Sequence, residues 1–297
     1  MRTALSAVLC VTALCFCFSA AHAQTYYVSN TGSDTNNGTS QTTPWATADK
    51  VNNTQFQPGD SILFERNGEW RDHIYPISSG TAGNPITFAD YGTGSKPIFW
   101  GSDVLKNANF VSQGGGVYTY QIATEVDAVL CNGVFVAPDV GSGQTWACPW
   151  SNGTLTVTLP SDPLTDGNLY TGCTRGNVIA NLADANGTGN GAIQSHIVFR
   201  NLVCAETCGE LQAGNVQGYG IRIQGATDIT VDGCEADNCG RHNIAIIDAD
   251  QVTVQNCNCD GAQPNTPGGN SIYVAYADGG APVARPEIFV SLWREIG

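Results

Sequence analysis

An internal repeat of short β-type segments constrains the fold of this chain more than any other feature. The copies occupy residues 220–223, 243–246 and 271–274 in one set, and 196–199, 228–231 and 251–254 in a second set. The main period within both sets is about 23 residues, which is too short for helical crossovers between parallel strands. The repeat therefore predicts a parallel β-solenoid, and the alternative is an ordinary β-sandwich with accidental spacing.

Strand alternation assigns an inner and an outer face to these segments. The first set places apolar residues inside, and these are Ile221, Ile223, Ile244, Ile246, Ile272 and Val274. It places Arg222, Ala245 and Tyr273 outside in one column. In the second set Arg200, Asp232 and Gln255 are expected outside, followed by Asn201, Gly233 and Asn256 at equivalent positions. Asparagine and glycine tolerate a left-handed backbone, so we expect a sharp bend there.

The sequence divides into five parts. They are a signal peptide (1–23), an N-terminal cap with the first coils (24–100), a β-rich insertion (101–190), further coils (191–277) and an aperiodic tail (278–297). The tail contains no further obvious coil, and truncation of the chain is one interpretation of it. The cap includes a short helix predicted within residues 44–52, and the first coils begin at Ile62, Ile74, Ile86 and Ile98. The expected fold is all-β, a solenoid with a capping helix and an inserted β-rich subdomain.

Charge and the amino terminus limit the partners of the protein. The formal net charge is −14, with 12 basic and 26 acidic residues, which argues against nucleic-acid binding. An apolar run after Arg2 ends at Ala21-His22-Ala23, the pattern of a cleaved signal peptide. No later segment is apolar enough to span a membrane. We therefore expect a secreted protein, extracellular or periplasmic, and a monomer.

Nine of the 12 cysteines remain after removal of the signal peptide. An odd number leaves at least one thiol unpaired within the chain. Cys234 and Cys257 are expected to lie one above the other in neighbouring coils, where parallel side chains are poorly aimed for a disulfide bond. We favour a column of buried thiols over that bond, and Cys208 and Cys239, in longer loops, are better disulfide candidates.

Two N-terminal segments, TYYVSNTGSDTNNGTSQTTPWATADKVN (25–52) and FQPGDSILFERNGEWRDHIYPISSGTAGNPITFADYGTGSKPIF (56–99), resemble secreted right-handed parallel β-helix proteins. These are the pectate-lyase-like carbohydrate-active proteins, and the coils at 196–277 are similar to their repeats. The resemblance covers about two thirds of the mature chain. It implies a right-handed parallel β-helix and a polysaccharide substrate. It does not choose between polysaccharide lyases, glycoside hydrolases and non-catalytic surface proteins.

The resemblance also implies that substrate lies across the face of the first strand set and the loops leading into it. In this chain that face includes Arg222 and Tyr273, and the loop before Ile244 contributes a polar cluster. The cluster is Asp237, Asn238, Arg241 and His242. Arginine binds carboxylates in a fork and histidine acts as a base near neutral pH. A solvated turn is the alternative interpretation of these residues.

For a lyase that acts on a uronate chain, three roles must be filled. Arg222 is the candidate that neutralises the carboxylate, and Asn238 is a second candidate binding residue. His242 or Arg241 is the candidate base, and Tyr273 is the candidate acid. Several lyases of the resembled family use a lysine base, but no lysine follows Lys106 here. That excludes a lysine base in the C-terminal coils.

Asp237 and Asp260 are one repeat period apart, so they are predicted to lie one above the other in adjacent coils. Two carboxylates there are candidate ligands for Ca²⁺, and solvated turn aspartates are the alternative. No other cofactor is expected.

A glycoside hydrolase needs two carboxylates about 5–10 Å apart. Asp228, Asp248 and Asp250 are predicted to lie in turns next to strands. Aspartate is common in turns because its side chain forms hydrogen bonds with the local backbone. A hydrolase on the same fold therefore stays open, and so does a non-catalytic adhesion protein.

Overall fold

In the computed structural model the chain is nearly all β. The structure describes residues 22–136, 148–183, 191–208, 210–211, 216–260, 270–275 and 288–292. The predicted signal peptide lies almost wholly outside the described residues. The expected helix is present as Ala48–Asn52, where the Thr47 side chain accepts a hydrogen bond from the Lys50 backbone nitrogen and caps the first turn. A single 3-10 turn follows at Asn107–Asn109.

The largest sheet of the described residues has eleven strands in two parallel arms, both of which include the long strand Asp250–Asp260. The first arm contains Thr25–Val28, Ser61–Glu65, Ile86–Tyr91, Ile197–Arg200, Thr227–Asp232 and Ile288–Leu292. The second arm contains Glu69–Trp70, Ile98–Trp100, Val203–Ala205 and Glu235–Asp237. Of the four evenly spaced starts predicted for the first coils, those at Ile62 and Ile86 thus lie in one arm and Ile98 in the other. Ile74 instead forms an isolated bridge with Ile179.

A separate four-stranded parallel sheet is formed by the other set of repeats, and we call it the site sheet. Its strands, in order, are Asn177–Ala180, Tyr219–Gln224, His242–Ile247 and Asn270–Ala275. Ile221 pairs with Ile244 and Ile244 pairs with Ile272, as the repeat predicts. The predicted parallel, neighbouring arrangement of these strands is therefore confirmed.

The core lies between these sheets and follows the predicted alternation. Fully buried positions include Ile221, Ile223, Ile244, Ile246, Ile229, Val231, Val252 and Val254. Ile272 is only partly buried, and Val274, which pairs with the buried Ile246 as predicted, is 39% exposed because its strand is the last one of its sheet. The bend after the second strand set is confirmed, because Asn201, Gly233 and Asn256 have φ angles of 55°, 63° and 55°.

The region between residues 102 and 173 differs in pairing from the coils, since its strands are antiparallel. One sheet contains Ser102–Leu105, Val129–Cys131, Val134–Phe135 and Tyr170–Cys173, and the other contains Val111–Gly114, Val117–Gln121, Trp150–Ser151 and Thr154–Thr158. These sheets bury a second apolar cluster of their own, around Leu105, Phe110, Leu155 and Tyr170. Two short hairpins, Leu182–Ala183 with Ala192–Ile193 and Glu210–Leu211 with Val216–Gln217, complete the described strands.

An additional strand lies in the C-terminal part of the chain. The sequence predicts no further coil after about residue 278, but Ile288–Leu292 pairs in parallel with the strand Asp250–Asp260. Its residues IFVSL are apolar or β-branched enough to extend the sheet, although their spacing breaks the period.

Among the described residues, no helix is long and apolar enough to cross a membrane.

Candidate functional site

Three aromatic rings from three successive strands stack on one another in the site sheet. The Tyr219 and His242 rings lie 5.6 Å apart at 10°, and the His242 and Tyr273 rings lie 4.2 Å apart at 2°. Tyr219 pairs directly with His242 across the sheet, whereas Tyr273 pairs with Ala245 and its ring leans back towards the imidazole. Both faces of the imidazole are thus covered, so only its edge and ring nitrogens can meet other groups.

His242 is held in its neutral form by this environment. Burial, followed by the positive charge of Arg241, lowers the pKa of His242 to about 4. A neutral imidazole at pH 7 can accept a proton from a bound molecule without first losing one. Burial raises the pKa of Tyr219, although the nearby charges of Arg222 and Arg241 oppose that rise. Tyr219 is therefore protonated at neutral pH and able to donate.

Two guanidinium groups border the ring stack. The Arg222 guanidinium lies 5.2 Å from the centroid of the Tyr219 ring, and its Nη2 donates to Gln224 Oε1. Arg222 is only 7% exposed although its column is the outward one, so the face is covered more fully than strand alternation alone predicts. The Arg241 backbone nitrogen donates to Gly218 O at 2.8 Å, which fixes the turn that leads into His242. The buried Arg241 Nε has no hydrogen-bond partner within the described part of the chain.

Buried amides adjoin the same stack. Asn177 pairs with Tyr219 in the sheet and is 4% exposed, and neither atom of its amide has a hydrogen-bond partner among the described residues. Asn243 is fully buried and donates from Nδ2 to Asp260 O at 3.1 Å. Buried amides ordinarily find partners, so the unsatisfied Asn177 group is able to receive the polar groups of a ligand.

The sequence predicts Arg222, Arg241, His242 and Tyr273 on one face, and the structure places them around one ring stack. Tyr219, Asn177 and Asn243 are not among the residues predicted from the sequence. Tyr219 stands one repeat period before His242, so the repeat contained a signal for it. The interval from Asn177 to Tyr219 does not match the period, and nothing in the spacing pointed to Asn177.

Asp237 and Asp260 are register partners in neighbouring strands, as predicted. Burial first, then the charges of Glu235 and Asp260, raise the pKa of Asp237 to about 6. The described residues contain no group of three or more histidine, cysteine, aspartate or glutamate side chains arranged to hold a metal ion. The calcium site considered from the sequence for Asp237 and Asp260 stays a prediction.

Asn238 lies apart from the ring stack. Its backbone is left-handed, with φ 48°, and its Nδ2 donates to Gly133 O of the hairpin turn between Val129–Cys131 and Val134–Phe135 at 3.3 Å. The contact joins the coils to the antiparallel region. The substrate-binding role considered for Asn238 from the sequence stays a prediction.

The turn aspartates have local roles in the structure. Asp228 lies 2.8 Å from His196 Nδ1 and has φ 57°, and Asp248 has φ 49°. The Asp250 carboxylate accepts from the Gln251 backbone nitrogen at 2.9 Å. None of the four strands of the site sheet contains an aspartate or glutamate. A carboxylate pair for hydrolysis is therefore absent from these strands themselves.

Comparisons with known proteins point to carbohydrate-acting relatives. No protein-family model matches the sequence. Residues covering 75% of the chain are 27% identical to a lacto-N-biosidase of Bifidobacterium longum, but the chain spans only 14% of the length of that relative.

Two solved structures are also similar to the chain. A complex of XylC with xylose superposes with a TM-score of 0.50 and 13% identity, covering 85% of this chain and 62% of the other. A GH136 lacto-N-biosidase from Eubacterium ramulus superposes with a TM-score of 0.45 and 15% sequence identity. The match covers 79% of this chain and 34% of the other. At these identities the similarity to XylC concerns the fold alone, and the second similarity supports no further conclusion.

Proposed function

We propose that this chain is a right-handed parallel β-helix of an exported carbohydrate-acting enzyme, and that it binds and cleaves an acidic polysaccharide on the site sheet. The observation that supports this most is the meeting of Arg222 and Arg241 around the Tyr219–His242–Tyr273 ring stack. In a protein of net charge −14, two guanidinium groups at one place create a local field that favours an anion. Of the three stacked rings Tyr273 is the one that is only partly buried, so its ring is the surface that a sugar ring can reach.

The chemistry that fits these groups is β-elimination. A guanidinium of Arg222 pairs with the uronate carboxylate and makes the neighbouring carbon-bound proton more acidic. The neutral imidazole of His242 accepts that proton, and the electron pair left behind forms the carbon–carbon double bond as the glycosidic carbon–oxygen bond breaks. The leaving oxygen takes a proton from the Tyr273 hydroxyl, and Arg241 is the second candidate for the base.

The pKa of about 4 has a consequence for this mechanism. His242 stays unprotonated across the neutral range, but it is a weak base. The reaction therefore depends on the arginine that acidifies the proton, more than on the strength of the imidazole. We expect removal of Arg222 to be at least as damaging as removal of His242.

A glycoside hydrolase is the second candidate, and two observations favour it. Asp237 has a pKa raised to about 6 and has Asp260 as its neighbour in the adjacent strand, so a carboxyl suited to act as the acid lies beside a second carboxyl, as hydrolysis requires. The relative from Bifidobacterium longum is named a lacto-N-biosidase. On this alternative the reacting bond lies over the second arm of the large sheet and away from the ring stack.

Product analysis on a panel of acidic and neutral polysaccharides separates the candidates. A lyase yields products with the ultraviolet absorbance of an unsaturated uronate, and a hydrolase yields new reducing ends without it. Binding without either product supports the third class, a non-catalytic surface protein.

Variants then locate the reaction. Arg222→Ala, Arg241→Ala and His242→Gln are compared with Arg200→Ala and His196→Gln, whose side chains pair with Asp232 and Asp228 on the first arm. We expect at least a hundredfold loss of rate in the first group for the residues that act chemically, and unchanged rates in the second. Loss only in Asp237→Asn and Asp260→Asn favours the hydrolase instead. Far-UV circular dichroism checks that each variant is folded.

A further inference from the structure

Two thiols from different turns of the chain converge in the core. All nine cysteines of the described residues are in the thiol form in this structure. A Cβ atom built on Gly220 would lie 2.5 Å from Cys239 Sγ and 2.9 Å from Cys204 Sγ, so both sulfur atoms occupy the space above that glycine. Cys239 Sγ donates to Cys204 O at 3.6 Å, and Cys204 Sγ donates to Glu235 O at 3.4 Å. Both side chains are fully buried.

Cys234 and Cys257, the pair weighed from the sequence, are arranged differently. They lie in neighbouring coils, next to the register pair of Glu235 with Asn258. Cys234 Sγ lies 3.5 Å from Phe199 O and Cys257 Sγ lies 3.6 Å from Val231 O, and carbonyl contacts of this kind are common to both pairs. Parallel side chains in successive coils point the same way, whereas Cys204 lies in a strand and Cys239 lies outside one. A disulfide bond needs two sulfur atoms that meet, and the sulfurs of Cys204 and Cys239 occupy one space beside Gly220.

We propose that Cys204 and Cys239 form a disulfide bond when this chain folds in an oxidising compartment. Each thiol gives up one proton and one electron, a sulfur–sulfur bond forms, and a disulfide oxidant such as oxidised glutathione is reduced to two thiols. Because both sulfurs are inaccessible in the folded protein, the bond forms before the core closes. The inference rests on the export included in the proposed function, and not on the substrate or the reaction.

The bond has a structural consequence for the site sheet. It joins the strand Val203–Ala205 to the turn at Cys239 that leads into His242, across 35 residues of chain. That turn contains Arg241, so the link restrains the approach of both residues to the ring stack. Gly220 is required beside it, since any side chain there would meet the two sulfurs.

Peptide mapping tests the proposal without knowledge of the substrate and without reliance on export. The full chain is unfolded, refolded in a mixture of reduced and oxidised glutathione, alkylated without reduction and digested with trypsin. Cleavage after Arg200, Arg222 and Arg241 places Cys204 with Cys208 in peptide 201–222, and Cys234 with Cys239 in peptide 223–241. We expect these two peptides to be joined, and fragmentation of the joined pair to place the bond at Cys204 and Cys239.

Variants and reductant provide the controls. Cys204→Ala and Cys239→Ala should lose the joined peptides, whereas Cys208→Ala and Cys234→Ala should keep them. Wild-type protein refolded in the glutathione mixture should have a Tm about 5 °C or more above that of wild-type protein refolded in reductant, and Cys204→Ala should show no such difference. Recovery of both peptides with all cysteines alkylated, or attachment of 223–241 to the peptide that begins at His242, overturns the proposal. If an alanine variant does not fold, the wild-type map decides by itself.

Discussion

Replacing Val231 by Ala tests the register on which the arrangement of the coils depends. Val231 is fully buried between its parallel partners Phe199 and Val254. Thr230, its neighbour in the same strand, is half-buried and faces outward. Val231→Ala removes two carbon atoms from the core, about 1.6 kcal/mol of transfer free energy, and the cavity raises the expected cost to about 2–3 kcal/mol. Thr230→Ala should cost less than about 1 kcal/mol, since no packed core atom is lost.

Urea unfolding followed by far-UV circular dichroism measures both variants against the wild type, with reductant present so that thiol chemistry does not contribute. The free energy of unfolding should fall by at least about 1 kcal/mol more for Val231→Ala than for Thr230→Ala. Equal losses, or a larger loss for Thr230→Ala, would show that the strand is displaced by one residue and that the opposite face is buried.

The remaining predictions concern charge. The folded protein holds His242 with a pKa of about 4, below the ordinary 6.5, so the unfolded chain binds a proton there first. The free energy of unfolding should therefore fall as pH drops from about 6.5 to 4, and a His242→Gln variant should lose less stability over that window in the same urea titration. Asp237 behaves in the opposite sense, because its pKa is raised to about 6. Asp237→Asn should be more stable than wild type at pH 8, and that gain should disappear as pH falls towards 4; an equal gain at both pH values would contradict the assigned burial and repulsion.

The repeated part of the fold was predictable because each repeat needs residues of the same kind at equivalent positions. A core position, an outward position and a left-handed corner return in every coil, and Asn201, Gly233 and Asn256 satisfy the corner in turn. The pairing of Asp237 with Asp260 followed from the same period. The period could not predict the end of the repeats, where Val274 is exposed and Ile288–Leu292 pairs with the first arm.

The candidate site was predictable only in part, since spacing gives positions but not side-chain directions. The column of Arg222, Ala245 and Tyr273 is in register as expected. Packing between coils decides that the Tyr273 ring leans back onto His242. It also decides that Tyr219 covers the other face of the imidazole. The burial of Arg222 depends in the same way on what covers the sheet.

A crystal structure of the protein with a bound oligouronide tests the central proposal most directly. The proposal predicts a sugar unit at the Tyr219–His242–Tyr273 ring stack, with its carboxylate within hydrogen-bond distance of a guanidinium of Arg222 or Arg241. The His242 ring nitrogen should face the carbon-bound proton next to that carboxylate. An oligosaccharide bound instead beside Asp237 and Asp260, with no contact to the ring stack, would contradict it.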